Sequence, residues 1–359
     1  MTVLCFLLSI AVIILIHNYI VWRYFEIKWT PDEIHFITAG DGFRLAVSRR
    51  LPQEIKYREP VILCHGLGAN RYNLDFNEEY SLARHFTKLG YDTYIIEMRT
   101  VGLSSKPHLF SESRWNIYFD DIVKYDIPAI IRNAKLKSGF NRVFWVGHSL
   151  GGMVMYAALQ DREIERDVRS LVAISSPPVF TRQPELKRFI PMLKSARIFS
   201  HIKQEFWGRL FAPYLIRAIP YSEIAANIDN IDTPTLRRIF VNLASDISST
   251  LISQIGDWVE NGFIRDKMRE KNYSEGISNI EIPIFAITGS VDLICPKEAI
   301  EYLREKLPEE RLKIIIAGTS YGFSTDYGHG DIIFGRNAPK EIFPIVSSYI
   351  QERSTPVND

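Results

Sequence analysis

Residues 147–152 read Gly-His-Ser-Leu-Gly-Gly, and this segment constrains the fold more than any other part of the 359-residue chain. It lies between an apolar run at 143–146 and a run of small and apolar residues at 153–159. This order predicts a strand, a sharp turn and a helix, with Ser149 at the turn. The backbone at such a serine is strained, and glycine two positions to either side lets the strand and the helix pass closely. The segment therefore predicts a serine hydroxyl that is held clear of a sheet.

Composition argues against several classes of function. A net charge of +1, with no basic stripe carrying interleaved aromatic residues, gives no electrostatic case for nucleic-acid binding. The three cysteines, Cys5, Cys64 and Cys295, cannot form a disulfide framework, and none belongs to a Cys-x-x-Cys pair. Because the sequence contains no P-loop, dinucleotide fingerprint, His-Glu-x-x-His motif or EF-hand loop, we expect no cofactor and no metal ion. The sequence also indicates no obligate protein partner.

The N-terminal segment is far more apolar than the rest of the chain. Residues 3–16 are interrupted only by Ser9, and with the apolar run at 19–22 they provide about the 20 residues that span a bilayer as a helix. A cleaved signal peptide would need a basic start and small residues before a cleavage site. We therefore expect residues 1–28 to form an uncleaved single-pass membrane anchor, with an apolar helix packed on the body as the alternative. Since the basic side chains flank its C-terminal end, the main body is predicted on the cytoplasmic side.

From residue 33 the chain alternates strand-like and helix-like runs, which is typical of a sheet covered by helices. The predicted elements are a hairpin at 33–38 and 43–50, strands at 61–64, 91–98, 143–146, 170–175, 283–288 and 312–317, and helices at 81–89, 119–134 and 341–353. Between 178 and 280 the pattern becomes helical and rich in aromatic residues, which we interpret as a cap over the strand ends. The predicted domains are a first core part (29–177), the helical cap (178–280), a second core part (281–353) and a tail (354–359).

Ser149 needs partners, because a serine hydroxyl becomes an effective nucleophile only when an imidazole takes its proton and a carboxylate fixes that imidazole. On a serine turn of this kind the acid and the histidine follow later in the chain, in that order. Beyond residue 280 the one histidine is His329, in a glycine-flanked loop after the last predicted strand. Asp292 is favoured as the acid, since a carboxylate just past the end of a strand faces the same rim as Ser149. Asp326 and Asp331 are closer to His329 in sequence but are more typical of loop or capping residues.

Two backbone N–H groups should point to the place where negative charge develops on a substrate carbonyl. The Leu150 N–H is one, because it directly follows the serine. The other is expected in the loop after the strand at 61–64, where Gly66 and Gly68 permit a close approach and Leu67 N–H is the best candidate donor.

Further residues are predicted to border the substrate. His65, Gly66 and His148 belong to the two glycine-bearing loops, and for both histidines a structural role is favoured over a chemical one. Trp207 and Phe211 are predicted to line or roof the site from the cap, with the cap's own core as the competing assignment for each.

These motifs resemble those of the α/β-hydrolase family. Beside His65-Gly66 and residues 147–152, the segment 99–104 (Arg-Thr-Val-Gly-Leu-Ser) looks like that family's Arg-x-x-Gly-x-Ser turn, and Asp292 and His329 stand where the family keeps its acid and base. The resemblance spans about residues 33–353. It implies an α/β-hydrolase fold, with a mostly parallel central sheet and helices on both faces, and a triad of Ser149, His329 and Asp292.

A narrower resemblance is carried by residues 80–84, 254–258 and 329–335, which are similar to the branch that holds acid lipases and polyhydroxyalkanoate synthases. The synthases use a cysteine where this chain has Ser149, which favours lipase- or esterase-like acyl transfer. We therefore expect a membrane-associated serine hydrolase that cleaves carboxylic esters, and its partners would be an ester or lipid molecule and the membrane. The alternatives are an acyltransferase that uses the same triad and a non-catalytic protein of this fold that binds a lipid or a partner protein.

Overall fold

An eight-stranded β-sheet forms the centre of the molecule. The computed structural model of the chain describes residues 2–107, 115–215 and 222–358. The strands of the described residues are β1 (Glu33–Thr38), β2 (Arg44–Arg50), β3 (Val61–Cys64), β4 (Thr93–Glu97), β5 (Val143–His148), β6 (Val168–Ile174), β7 (His201–Ile202), β8 (Ile247–Ser248), β9 (Ile284–Gly289) and β10 (Leu312–Ala317). All of them except β7 and β8 belong to the main sheet. The order across the main sheet is β1-β2-β4-β3-β5-β6-β9-β10. Strand β2 is antiparallel to both neighbours and every other adjacent pair is parallel, so the predicted mostly parallel sheet is confirmed.

Helices cover both faces of the sheet. They are α1 (Thr2–Phe25), α2 (Leu82–Leu89), α3 (Phe119–Asp121), α4 (Ile127–Ser138), α5 (Leu150–Ala158), α6 (Arg162–Asp167), α7 (Ile190–Ser195), α8 (Gln204–Leu215), α9 (Ser222–Ala225), α10 (Thr233–Asn242), α11 (Ser249–Asn261), α12 (Lys297–Ile300), α13 (Tyr302–Lys306), α14 (Asp331–Phe334) and α15 (Ala338–Gln351). Adjacent residues of one strand belong to opposite cores: Ile62 packs in one apolar cluster and Leu63 in the other. This alternation follows from the two-residue period of a strand, and burial on both faces explains why β3 is continuously apolar.

Local sequence signals set the ends of α2. The Ser81 hydroxyl accepts a hydrogen bond from Arg84 N–H at 2.9 Å, which caps the first turn. Gly90 ends the helix with φ = 100°, a left-handed conformation that glycine adopts without a steric penalty. The helix predicted at 81–89 therefore has its expected ends.

The helix predicted at 119–134 differs from the structure. Between α3 and α4 the chain makes a wider turn at Ile122–Asp126, in which Ile127 N–H bonds to the Ile122 carbonyl five residues back. Pro128 explains the difference, because it has no N–H to bond to the Lys124 carbonyl and its ring would collide with that carbonyl in a regular α-helix.

Helices α7 to α11 lie between β6 and β9 in the chain, in the stretch interpreted as the cap. A short ribbon of β7 and β8 joins them, with His201 opposite Ser248. A strand of two residues is too short to show the alternation of apolar and polar residues that marks a strand. The sequence therefore predicted only helices in this stretch. The domain boundaries at 178 and 280 stay a prediction.

The N-terminal helix α1 is attached to helices of the cap region. Among the described residues, Leu4–Phe25 is the one helix long and apolar enough to cross a membrane. Its first ten described side chains are exposed, whereas Val21 packs against Val241 of α10. Asn18 Nδ2 donates to the Phe206 carbonyl at 3.1 Å, and Asn242 Nδ2 donates to the Phe25 carbonyl at 2.9 Å. The C-terminal end of α1 is thus joined to α8 and α10.

Candidate active site

Ser149 stands on a strained turn between β5 and α5. Its backbone has φ = 53° and ψ = −119°, in the region of positive φ that residues with side chains rarely adopt. A Cβ added at Gly147 would lie 2.3 Å from the Gly151 carbonyl carbon, and one added at Gly151 would lie 2.3 Å from the Cys64 carbonyl oxygen. Because real Cβ atoms do not approach so closely, the contact between strand and helix requires glycine at both positions.

Three side chains from separate loops form one hydrogen-bonded chain. Ser149 Oγ lies 2.9 Å from His329 Nε2, and His329 Nδ1 lies 3.0 Å from Asp292 Oδ2. Ser149 follows β5, Asp292 follows β9 and His329 lies in the loop after β10. Since these strands are parallel, their carboxyl ends lie at one edge of the sheet. The structure therefore brings together a hydroxyl, an imidazole and a carboxylate that the sequence had singled out.

The carboxylate of Asp292 is held in an environment that favours its charged form. It is 1% exposed, and Oδ1 accepts hydrogen bonds from the N–H groups of Ile294 and Cys295, both at 2.8 Å. Burial acts to raise the pKa of Asp292, but the charge and hydrogen bond of His329 and the bond from Cys295 outweigh it and lower the pKa. A charged Asp292 holds the proton of the imidazole on Nδ1, which leaves Nε2 free to accept the Ser149 proton.

Asp326 and Asp331 have other partners. Asp331 Oδ1 accepts from Asn227 N–H at 2.8 Å and from Gly328 N–H at 3.0 Å. Asp326 Oδ1 accepts from Ser290 Oγ at 2.8 Å and from Thr319 N–H at 2.9 Å. Both carboxylates thus hold loops in place, and in the described part of the chain neither bonds to the His329 ring.

The glycine loop after β3 runs directly against the serine. A Cβ added at Gly66 would lie 3.1 Å from Ser149 Cβ. Within the described ranges, the N–H groups of Leu67 and Leu150 make no hydrogen bond to the protein. Two donors next to a nucleophilic hydroxyl are what an oxyanion requires, although the identity of these donors stays a prediction.

A small cavity opens beside this loop. Its wall includes Leu67 and Leu150 and is otherwise largely apolar, although Arg99 and Asp246 also border it. The other apolar side chains that line it are Met98, Val101, Ile117, Ile122, Ile247 and Leu251. Trp207 and Phe211 do not line it: they are 50% and 43% exposed and stack on each other on α8, with ring centroids 5.7 Å apart. Helix α8 packs on α1 and α10, and these two rings lie on its exposed surface. Their predicted place at the substrate stays a prediction.

His65 and His148 are buried, 2% and 5% exposed. His65 Nε2 accepts from Met98 N–H at 3.1 Å, so its Nδ1–H donates to the Gly66 carbonyl at 2.8 Å. Burial lowers the pKa of His65 to about 4 and that of His148 to about 3, so both rings are neutral near pH 7. His148 lies within hydrogen-bond distance of Asn73 Oδ1 and of the His329 carbonyl oxygen, and it donates to one of the two rather than to Ser149. Their predicted place at the border of the substrate remains a prediction.

Asn73 was not singled out by the sequence. Its Oδ1 accepts from Gly66 N–H at 2.9 Å and lies 3.1 Å from His148 Nδ1. No motif marks this residue, and its position shortly after the glycine loop is the only signal that could have drawn attention to it.

The polar side chains of the turn at residues 99–104 hold the turn in place. Arg99 Nη2 donates to Asp126 Oδ1 at 2.6 Å, and Ser104 Oγ donates to the Glu97 carbonyl at 2.6 Å. These bonds fix the chain after β4, where Val101 reaches the cavity. Over residues 2–107, 115–215 and 222–358, no group of three or more His, Cys, Asp or Glu side chains is placed to hold a metal ion.

Comparison with known proteins gives consistent matches. The model of the alpha/beta hydrolase fold matches residues 59–326. Gastric triacylglycerol lipase of Homo sapiens is 24% identical over 90% of this chain and 88% of its own length. The poly(3-hydroxyalkanoate) polymerase subunit PhaC of Haloferax mediterranei is 22% identical over 84% of this chain and 60% of its own. Among solved structures, an esterase from Exiguobacterium antarcticum superposes with a TM-score of 0.59 at 19% identity, over 88% of this chain and 98% of the esterase.

Proposed function

The chain belongs to the alpha/beta hydrolase fold family, and from this premise we propose that it is a serine hydrolase that cleaves carboxylic esters with an apolar acyl chain. The observation that carries the proposal is the 2.9 Å contact between Ser149 Oγ and His329 Nε2, with Asp292 on the far side of the imidazole. The relatives support it, since the human protein is named as a triacylglycerol lipase.

The geometry supports a two-step reaction through an acyl-enzyme. His329 takes the proton of Ser149 as Oγ attacks the ester carbonyl, and the negative oxygen that forms accepts hydrogen bonds from Leu67 and Leu150 N–H. The imidazolium then protonates the leaving alcohol. Water then attacks the carbonyl of the acyl-enzyme, with His329 as the base, and the carboxylic acid and free Ser149 are released.

The acyl chain is assigned to the cavity beside Leu67. Aliphatic side chains dominate its apolar wall, and burial of apolar surface contributes roughly 25 cal/mol per Å².

The N-terminal helix is proposed as a membrane anchor that the mature protein retains. In the structure α1 is joined to α8 by the Asn18–Phe206 bond and to α10 by the bonds of Asn242. Removal of a signal peptide would break these contacts and expose Val241. The lack of charge over the first half of the helix fits the interior of a bilayer. The basic residues after the helix support a cytoplasmic position for the hydrolase body.

The test uses p-nitrophenyl esters of graded chain length with the wild type and the Ser149→Ala variant. We expect turnover by the wild type only, with a fluorophosphonate probe attached at Ser149. Activity retained by a folded Ser149→Ala variant would contradict the proposal. A folded wild-type protein that does not react with the probe would favour the non-catalytic alternative.

Acyl transfer is the second enzymatic candidate, because an alcohol or amine could replace water at the acyl-enzyme. Product analysis with and without added alcohol separates the two reactions. Free acid as the main product in both conditions supports hydrolysis, whereas a new ester as the main product supports transfer.

A further inference from the structure

Asn73 lies at the junction of the three loops that form the candidate active site. Its side chain is buried, with 1% exposure, at the end of the short turn that follows the glycine loop. Its Oδ1 accepts a hydrogen bond from Gly66 N–H at 2.9 Å, and the same oxygen lies 3.1 Å from His148 Nδ1. One buried amide oxygen therefore contacts both the glycine loop and the serine turn.

His148 continues this connection to the third loop. Its Nε2 lies 3.0 Å from the carbonyl oxygen of His329, and the two imidazole rings are 5.0 Å apart between centroids. The His329 carbonyl and Asn73 Oδ1 are both acceptors, and a neutral imidazole has a single N–H, so His148 donates to one of them at a time. The ring fills the space between Asn73 and the main chain of His329.

We infer that Asn73 is a positioning residue. It fixes the position of the Leu67 N–H relative to Ser149 and, through His148, the position of the His329 main chain. Gly66 directly precedes Leu67, so a shift of the Gly66 amide moves the peptide group that carries the Leu67 donor. The glycine loop has little room to shift toward the serine, since a Cβ at Gly66 would already lie 3.1 Å from Ser149 Cβ. The inference rests on the proposed function, because it concerns groups assigned there.

Distance is the physical reason why such a residue affects the rate. Donors stabilise a developing oxyanion when they lie about 2.7–3.1 Å from it, and misplacement of a group by about 1 Å can cost 100-fold in rate. Loss of the Asn73 amide also leaves the Gly66 N–H without its partner, which lowers stability. A fall in stability alone would therefore not distinguish a positioning role from a structural one.

The experiment compares Asn73→Ala with a matched control, Asn77→Ala. Asn77 belongs to the same segment, and its Oδ1 likewise accepts two backbone N–H groups, those of Glu79 and Tyr80. The measurements are kcat and KM per titrated active site with a p-nitrophenyl ester, the rate of phosphonylation of Ser149, and the melting temperature.

We expect Asn73→Ala to lower kcat about 10- to 100-fold, to change KM less than about threefold, and to slow phosphonylation by a similar factor. The control should lower the melting temperature and leave kcat unchanged. Wild-type kcat in Asn73→Ala, or an equal loss of kcat in Asn77→Ala, would overturn the inference. Should the alanine variant fail to fold, Asn73→Ser, whose shorter side chain cannot reach both partners, gives the same comparison. If the wild type does not hydrolyse esters, the proposed function fails instead, which the Ser149→Ala comparison reports separately.

Discussion

Ser149 Oγ and His329 Nε2 lie 2.9 Å apart, although 180 residues separate them in the chain. The parallel strands explain this contact, since β5 and β10 deliver their following loops to the same edge of the sheet. Asp292 reaches the same imidazole from the loop after β9. The strength of this arrangement can be tested one partner at a time.

Asp292→Asn should reduce kcat about 10⁴-fold while the protein stays folded, because the amide can hold the His329 ring in the wrong tautomer. The measurement is kcat for a p-nitrophenyl ester, with circular dichroism to verify the fold. Asp326→Asn is the matched control: it removes a loop carboxylate with no contact to the His329 ring in the described structure and should keep kcat near the wild-type value. Equal losses in both variants would contradict the assignment of Asp292.

Gly151→Ala should destabilise the protein by about 3 kcal/mol, or prevent folding, because the added methyl group would lie 2.3 Å from the Cys64 carbonyl oxygen. Gly139→Ala is the control, since Gly139 follows the end of α4 and has no atom within 4 Å of the added Cβ. The expected loss for Gly139→Ala is about 1 kcal/mol, which comes only from the strain of a residue with a Cβ at φ = 78°. Urea unfolding of the two variants measures the difference, and equal stabilities would refute the steric explanation.

Stability should fall between pH 7 and pH 5, in part because of His65. Burial lowers its pKa in the folded state to about 4, from an ordinary value of 6.5. The unfolded chain therefore binds more protons in this interval, and the folded state loses stability as the pH falls from about 6.5 towards 4. The loss assigned to His65 between pH 7 and pH 5 is about 2 kcal/mol. The His65→Gln variant should be less stable overall. Its free energy of unfolding should, however, decline by about 2 kcal/mol less than that of the wild type between pH 7 and pH 5. Identical pH slopes would show that His65 does not titrate in this way.

Removal of residues 1–25 should release the protein from membranes. The full chain is expected to stay with the membrane fraction after a carbonate wash, and the shortened chain is expected in the supernatant with Ser149 still reactive to a fluorophosphonate. The mass of the N-terminal peptide of the full-length protein provides an independent check. An N terminus that begins after α1 would identify the segment as a cleaved signal and refute the anchor.

The three side chains that the structure brings together at the candidate site were accessible to sequence reasoning because each follows a recognisable strand. Ser149 has glycine on both sides at fixed spacing, Asp292 follows the apolar run that becomes β9, and His329 is the one histidine beyond the cap. Strand period and loop order carried this information, and both are local properties of the chain. The same signals predicted the parallel sheet.

Other features depend on contacts that no local pattern records. Asn73 acts between loops that are far apart in sequence, so its environment becomes visible only in the folded chain. Trp207 and Phe211 are aromatic residues of the kind that line pockets, but their surroundings depend on how α1 and α10 pack on α8, which the sequence does not record. The wider turn before α4 is different, because Pro128 is a local signal that a regular helix is interrupted there.

The order of the strands also has a consequence during synthesis of the protein. Strands β3 to β6 and the serine turn emerge from the ribosome before α7 to α11, and β9 and β10 emerge only after them. Ser149 is therefore made on an incomplete sheet, before Asp292 and His329 are synthesised. Reactivity at Ser149 should appear late, when the last two strands have joined the sheet, so a fluorophosphonate reports completion of the fold as well as catalytic competence.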